Sequence, residues 1–301
     1  MTSLATSVSN STLTTTQAYL TPAEYRASKL GISVNDLVPG GNQATQDAAL
    51  VTLIARASAW ADRICNQPLG ADLHTEDAWA RVNRDGYLVV PVRYWPVTEL
   101  VSARVGASVS TAASVVSGTD IRIGATTIAL PVATTISYVG NQPPQRYGIG
   151  SRLYVSLTYV SGWPATTLAT SASAGASAIV VGSNLGIYAG TQLLVADGTS
   201  SETVTVAATP TTSTVAVSVP LGFAHTASTT NPVGVSALPQ DIKQAVTHLV
   251  NVFIRSRGTT AIEMADITQE PTKVLSGEAG MSTDLALATC ILSPTYERTG
   301  W

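Results

Sequence analysis

Between Asp47 and Cys65 apolar residues recur at helical spacing: Leu50, Leu53, Ile54, Ala57, Ala61 and Ile64 line one face, with Trp60 at its edge. The opposite face carries Ala48, Thr52, Ala55 and Ala59, all small and uncharged, where a surface helix normally carries Lys and Glu. Small residues let a second helix approach to the short end of the roughly 8–10 Å interaxial range. The pattern predicts a helix over 46–65 packed on two sides, once in its own fold and once against another surface. The central helix of one large monomeric domain would show the same pattern.

Thr21-Pro22-Ala23-Glu24 predicts a short helix ahead of it, with Thr21 as N-cap, Pro22 at N1 and Glu24 closing a capping box. Gly31 suits its end. After Pro68 and Gly70 the period changes from helix to strand. Strands are predicted over 74–84, 87–92, 100–105, 120–130, 136–139 and 152–160, with Asp85-Gly86 as a hairpin turn joining the first two. Gly162-Trp163-Pro164 closes this block. Over 165–236, short β-runs at 178–181, 192–195, 202–206 and 214–217 alternate with turn residues. The segment reads as an inserted all-β module; a continuation of the preceding sheet is the alternative. Helical periodicity then returns over 239–257, through Ile242, Ala245, Val246, Leu249 and Phe253, and again over 282–293. The fold class expected is α+β. It has a helical core (46–65, 239–257, 282–293), a β-block and an inserted β-module. Its units are an N-terminal arm (1–19), a core (20–164 and 237–301) and the module (165–236).

Composition sharpens this picture. Charged residues make up 12% of the 301 residues against 45% hydrophobic, with Ser, Thr, Ala, Val and Gly filling the difference. Residues 1–19 are mostly Ser, Thr, Asn and small apolars, which cannot bury enough surface to offset ordering entropy, so a flexible arm is expected. The formal net charge of −3 gives no overall pull toward nucleic acid. Two cysteines, Cys65 and Cys290, form neither a CxxC nor a disulfide framework. No apolar run reaches the length of about eighteen residues that spans a bilayer. The N-terminus lacks a basic n-region followed by an apolar core. Synthesis in a reducing cytoplasm is the expectation, without a membrane association.

Candidate chemistry is sparse. His74, His225 and His248 have no ligand-spaced partners, and His248 falls on the polar side of its helix with Gln244, Asn251 and Arg255. Nucleophile-elbow, phosphate-loop and HExxH motifs do not occur. Asp197 to Glu202 lacks the alternating acidic ligands of a calcium loop and reads as a turn. Arg84-Asp85-Gly86 reads as hairpin chemistry. Arg146, Arg152, Arg255 and Arg257 could touch phosphates, but no aromatic residues interleave with them. No catalytic, cofactor or metal residues are assigned, and no enzymatic activity is expected.

The order of elements carries a resemblance. Tyr19 to Tyr25, the Ala57-Ser58-Ala59-Trp60-Ala61-Asp62 run, Pro91-Val92 and Pro96-Val97 and the Leu238 to Ala245 helix start resemble the head-to-tail adaptor family of long-tailed bacteriophages. So does the ending from Ala288 to Tyr296. The likeness covers 19–164 and 237–301; each motif is short, and their order carries it. Many members are a third to a half this length and mostly helical, so the long β-block and the segment 165–236 depart from the pattern.

The resemblance implies a structural virion protein at the head–tail junction, assembled in the host cytoplasm. It implies a ring, usually of twelve subunits, under the portal. Such a ring extends the DNA channel, passes double-stranded DNA without sequence preference and supports a stopper or tail-terminator protein. The subunit interface expected is Ala48, Thr52, Ala55 and Ala59. Docking onto the portal protein is expected through Tyr296, Arg298 and Trp301, aromatic and Arg side chains of the kind that dominate binding hot spots. A tail that folds back on its own β-block is the alternative there. For the whole chain, the alternative is a β-rich capsid or tail decoration protein without enzymatic activity.

Overall fold

A computed structural model describes residues 17–35, 37–114, 120–132, 149–198, 200–228, 232–256 and 279–298. Helix α1 (Pro22–Ala27) begins with the anticipated capping box: the Glu24 amide donates to Thr21 Oγ1 at 3.2 Å and the Thr21 amide to Glu24 Oε2 at 2.8 Å. Helix α2 (Gln43–Cys65) starts at Asn42, whose side chain accepts from the Thr45 amide, and ends at Asn66 in the left-handed region. Asn tolerates that conformation better than most residues, so the chain turns there without a glycine.

Three long strands follow. β1 (Asp72–Arg81), β3 (Val97–Gly106) and β7 (Arg152–Ser161) join β4 (Ala113–Ser114) in a sheet ordered β1-β7-β3-β4. Central β7 buries Leu153, Val155, Leu157 and Tyr159 on its core face; on its other face Tyr154 and Val160 are covered by neighbouring strands, Ser156 and Thr158 are half-buried and Arg152 is exposed. On β1 and β3 one face stays open and the pattern alternates. A second, three-stranded sheet joins β2 (Tyr87–Pro91), β6 (Thr127–Pro131) and β5 (Arg122–Ile123). These two sheets enclose one apolar core built on Leu88, Val90, Ile128, Leu130, Leu153, Val155, Leu157 and Tyr159.

The turn at Asn83–Gly86 forms as anticipated, with Gly86 at φ +80° and Asn83 Oδ1 accepting the Asp85 and Tyr87 amides. Its two arms do not make the expected ladder. Beyond one Val82–Leu88 bridge they part, β1 pairing with β7 and β2 with β6. The span 120–130 likewise splits into β5 and β6 around a turn at Gly124. The strand expected over 136–139 lies outside the described residues.

Gly162 then lets the chain cross over α2's exit. With φ at +87°, a Cβ there would sit 2.4 Å from the Gly70 carbonyl oxygen. Trp163 exchanges backbone hydrogen bonds with Leu69 and Ala71 in that crossing.

The segment 165–236 contains β8 (Ala165–Thr167), β9 (Ala178–Val180), β10 (Gln192–Ala196), β11 (Glu202–Thr205), β12 (Thr214–Ala216) and β13 (Gly234–Ser236). They make a sheet ordered β11-β10-β13-β8 and a β9–β12 pair around a separate apolar core that includes Ile179, Leu193, Val195, Val215 and Val235. Ala165 pairs with Ser236, so the segment enters and leaves side by side.

Helices α3 (Gln240–Arg255) and α4 (Ala279–Tyr296) complete the chain. α3 is buried on nearly all sides; α2 and α4 pack against it through Leu50, Ile54, Ala57, Leu249, Val250, Phe253, Ala288 and Leu292. α4 begins before Ser282, the expected N-cap, and runs two residues past Pro294.

The expectation of a helical-core α+β fold is corrected by this architecture. The molecule is mostly β-sheet: four small antiparallel sheets, with four α-helices among the described residues. The physical reason is the Val-, Thr- and Ser-rich middle of the chain. It buries its apolar residues in two all-β cores, and the helices share only the third. Within that third core α3, not α2, is the central helix.

Candidate interaction surface

The two faces of α2 differ as their residues suggest. Leu50, Ile54, Ala57, Ala61 and Cys65 have no exposed surface, and Leu53 and Ile64 are partly buried. On the far side Ala48, Thr52 and Ala59 are exposed and Ala55 is half-buried. Thr52 returns its hydroxyl to the Ala48 carbonyl at 3.1 Å, leaving no free polar group on that strip from its side chain. Val51 is exposed beside them, and Arg56 lies over the Phe253 ring, 4.7 Å from its centre. Of the four residues expected at an interface, all uncharged, three are thus exposed and Ala55 is half-buried, with the exposed Arg56 and Arg63 at helical spacing beside them.

The C-terminal residues lie elsewhere. Tyr296 is buried: its ring meets Trp163 edge-on at 5.5 Å between centres, and its hydroxyl donates to Asp241 Oδ2 at 2.8 Å. Arg298 lies next to the β-block. Its amide donates to the Cys65 carbonyl, its guanidinium sits 5.5 Å from the Tyr94 ring centre, and its Nε and Nη1 are buried without partners. Trp301 lies outside the described residues. Tyr296 therefore anchors the helix end inside the chain and has no ring surface to offer a partner.

The N-terminal boundary is similarly tied. Tyr19, assigned to a flexible arm, is buried; its amide donates to Ser58 Oγ and its hydroxyl to Asp62. The remainder of that arm, before Gln17, lies outside the described residues. Burial pushes the Asp62 carboxyl up to about 6, outweighing the hydrogen bonds from Tyr19 and Leu69 that favour its ionised form.

Two histidines are more engaged than sequence spacing indicates. His248, placed on the polar side of its helix, is buried with Nδ1 2.7 Å from Asp284 Oδ1, and Arg255 lies 3.5 Å from the other carboxylate oxygen. His225 is buried with Nδ1 2.9 Å from Asp197 Oδ2 and Nε2 3.0 Å from Glu202 Oε1. Glu202 also accepts the Gly222 and Phe223 amides. Its carboxyl is held below the usual range: burial opposes ionisation, but the Gly222 amide, the His225 ring and the Phe223 amide outweigh it. The turn read at Asp197–Glu202 exists, yet its carboxylates close on a residue over twenty positions away. One signal was available: Asp197, Glu202 and His225 are the only acidic or basic residues in 165–236.

Of the arginines considered for phosphate, Arg146 and Arg257 lie outside the described residues and Arg255 faces Asp284. Among the described residues no group of three His, Cys, Asp or Glu side chains could hold a metal ion. No described helix is long and apolar enough to cross a membrane. No protein-family model matches this sequence, and no curated protein matches it.

Proposed function

We propose that this chain is a structural virion protein, a head-to-tail adaptor that forms a ring under the portal, extends the DNA channel and carries the stopper or tail. The observation that carries the reading is the outer strip of α2, Ala48, Thr52, Ala55 and Ala59, turned to solvent with no charge on it. An uncharged small-residue strip costs little to desolvate and admits a close neighbour. Set against a different surface of the next copy, it makes a head-to-tail contact, the kind that closes into rings. The order of motifs along the chain supports the same reading. Portal docking is proposed for the segment leading from Tyr296, with Tyr296 as the internal anchor and Arg298 and Trp301 as the contacts.

The test is assembly. Native mass spectrometry of the purified chain, alone and with portal-bearing heads, should show a ring. Ala59→Trp should keep the monomer's thermal midpoint, because residue 59 is exposed, and weaken each contact by about 1–3 kcal/mol through overpacking. A chain that stays monomeric with portal-bearing heads, or an Ala59→Trp variant that assembles normally, would overturn the proposal. One observation favours the second reading, a decoration protein: Tyr188 and Phe223 are both exposed on the β-module. Binding to completed capsids without portal would select it.

A further inference from the structure

No basic cluster is visible along the sequence, but the sheet register builds one. On β1, Leu73, Thr75, Asp77, Trp79 and Arg81 share a face; across β7 they stand opposite Val160, Thr158, Ser156, Tyr154 and Arg152. On β3, Arg104 stands opposite Ser156 and so lies on the same face. Arg81, Arg104 and Arg152 are all exposed, and none makes an ion pair among the described residues.

Arg81 and Arg152 are directly paired, which places two like charges side by side and disfavours the sheet. Two carboxylates share the face: Asp77, engaged by the Tyr154 hydroxyl, and Glu99, opposite Val160 at the far end of β3 from Arg104. Arg152 lies over the Trp79 ring at 5.4 Å, and Tyr154 meets that ring edge-on at 5.7 Å. The Trp79 ring, itself exposed, therefore carries the Arg152 guanidinium, while Arg104 Nη2 donates to the Ala112 carbonyl at 3.0 Å. A row of hydroxyls, Thr75, Thr158, Ser156 and Ser102, continues the face. Arginines and hydroxyls arrayed on one face suit a sugar–phosphate backbone.

We infer that the outer face of the β1-β7-β3-β4 sheet contacts the backbone of duplex DNA through Arg81, Arg104 and Arg152, without reading sequence. The choice of duplex DNA over an acidic polypeptide or a single strand rests on the adaptor reading, in which duplex DNA is the polyanion that passes through the ring. Three contacts keep the binding weak. With about 0.9 counterions released per phosphate contact, log affinity should fall against log salt with a slope of about −2.7.

The experiment is fluorescence anisotropy of the full chain with a labelled 30-mer duplex over a salt series starting near 20 mM. A single strand and polyglutamate of matched charge serve as competitors. Arg81→Gln, Arg104→Gln and Arg152→Gln should each lower the slope by about one, and the triple variant should lose at least tenfold in affinity at the lowest salt. Circular dichroism should be unchanged, since all three side chains are exposed. Absence of duplex binding at low salt, an unchanged slope in the triple variant, or a single strand or polyglutamate competing as well as duplex would each overturn the inference. A chain that binds duplex in this way but forms no ring would remove the adaptor reading and leave the DNA contact standing. A ring-forming chain without it would do the reverse.

Discussion

The helical region and the β-module solve the same problem with opposite means. The helices meet through several buried polar links between distant segments: Lys243 with Glu24 at 2.6 Å, Tyr25 with Asn251 at 2.6 Å, His248 with Asp284 at 2.7 Å, and Arg26 with Asp47. The module, with no Lys or Arg, gathers its three charged or titratable acid–base side chains at one point around His225. Spread links fix the relative position of several helices that have no backbone ladders between them. A sheet is already placed by its backbone ladders, so one polar clamp suffices to tie its loop 221–225 to β10 and β11. Removing a single link should therefore be felt differently in the two regions.

The largest effect is expected at Lys243. Its side chain and that of Glu24 are 7% and 11% exposed. Lys243→Ala leaves a carboxylate buried with its main counter-charge gone, a change that typically costs about 3–5 kcal/mol. Urea unfolding followed by helical circular dichroism should show it. Adding Glu24→Gln, which removes the stranded charge, should recover part of the loss. If Lys243→Ala costs under about 1 kcal/mol, the pair is screened and the helices are held by apolar packing alone.

A smaller and more local loss is expected at His225. His225→Gln cannot reach both Asp197 and Glu202 as the two ring nitrogens do, and hydrogen bonds to charged groups contribute about 1.5–3 kcal/mol. Amide exchange should rise at Gly222 and Phe223, whose carboxylate partner Glu202 loses its tether, while amides of α3 stay protected. Equal deprotection of α3 would mean that the two regions unfold as one unit and that the contrast is only compositional.

What was legible in the sequence follows the same division between local and distant. Caps and turns were legible because their partners lie within a few residues: Thr21 with Glu24, Asn83 with Tyr87. The exposed strip of α2 was legible from helical spacing. Strand partners were not, because β1 and β2 are joined by a sound turn yet find better-matched apolar faces in β7 and β6. The partner of His248, placed on the polar side of its helix, was missed because Asp284 lies 36 positions away on another helix. Tyr296 was read as a portal contact because nothing local shows that Trp163 and Asp241 await it. The arginine cluster was hidden for the same reason, since its members sit on three strands and meet only through the register.

The finest test of the contrast uses pH, because the two regions carry carboxylates shifted in opposite directions. Asp62 is raised from 3.8 to about 6 by burial, so the folded chain still holds that proton at a pH where the unfolded chain has released it. Its contribution to stability is therefore full below about pH 4 and is lost as pH rises through about 6. Glu202 is lowered, so its contribution is present above the ordinary glutamate range and is lost as pH falls through its folded value. From pH 7 to pH 5 the helical region should gain through Asp62, and acidification below the ordinary glutamate range should weaken the module through Glu202. Urea midpoints read by helical circular dichroism at pH 5 and pH 7 measure the first part. Asp62→Asn keeps an oxygen for the Leu69 amide, which donates to Asp62 Oδ1 at 2.9 Å, but has no proton to gain. The variant should flatten the difference between the two pH values and should be no less stable than the natural chain at pH 7. If its midpoints keep the same slope, Asp62 does not carry the dependence. The junction of Tyr19, Asp62 and Leu69 would then be better hydrated than its burial implies.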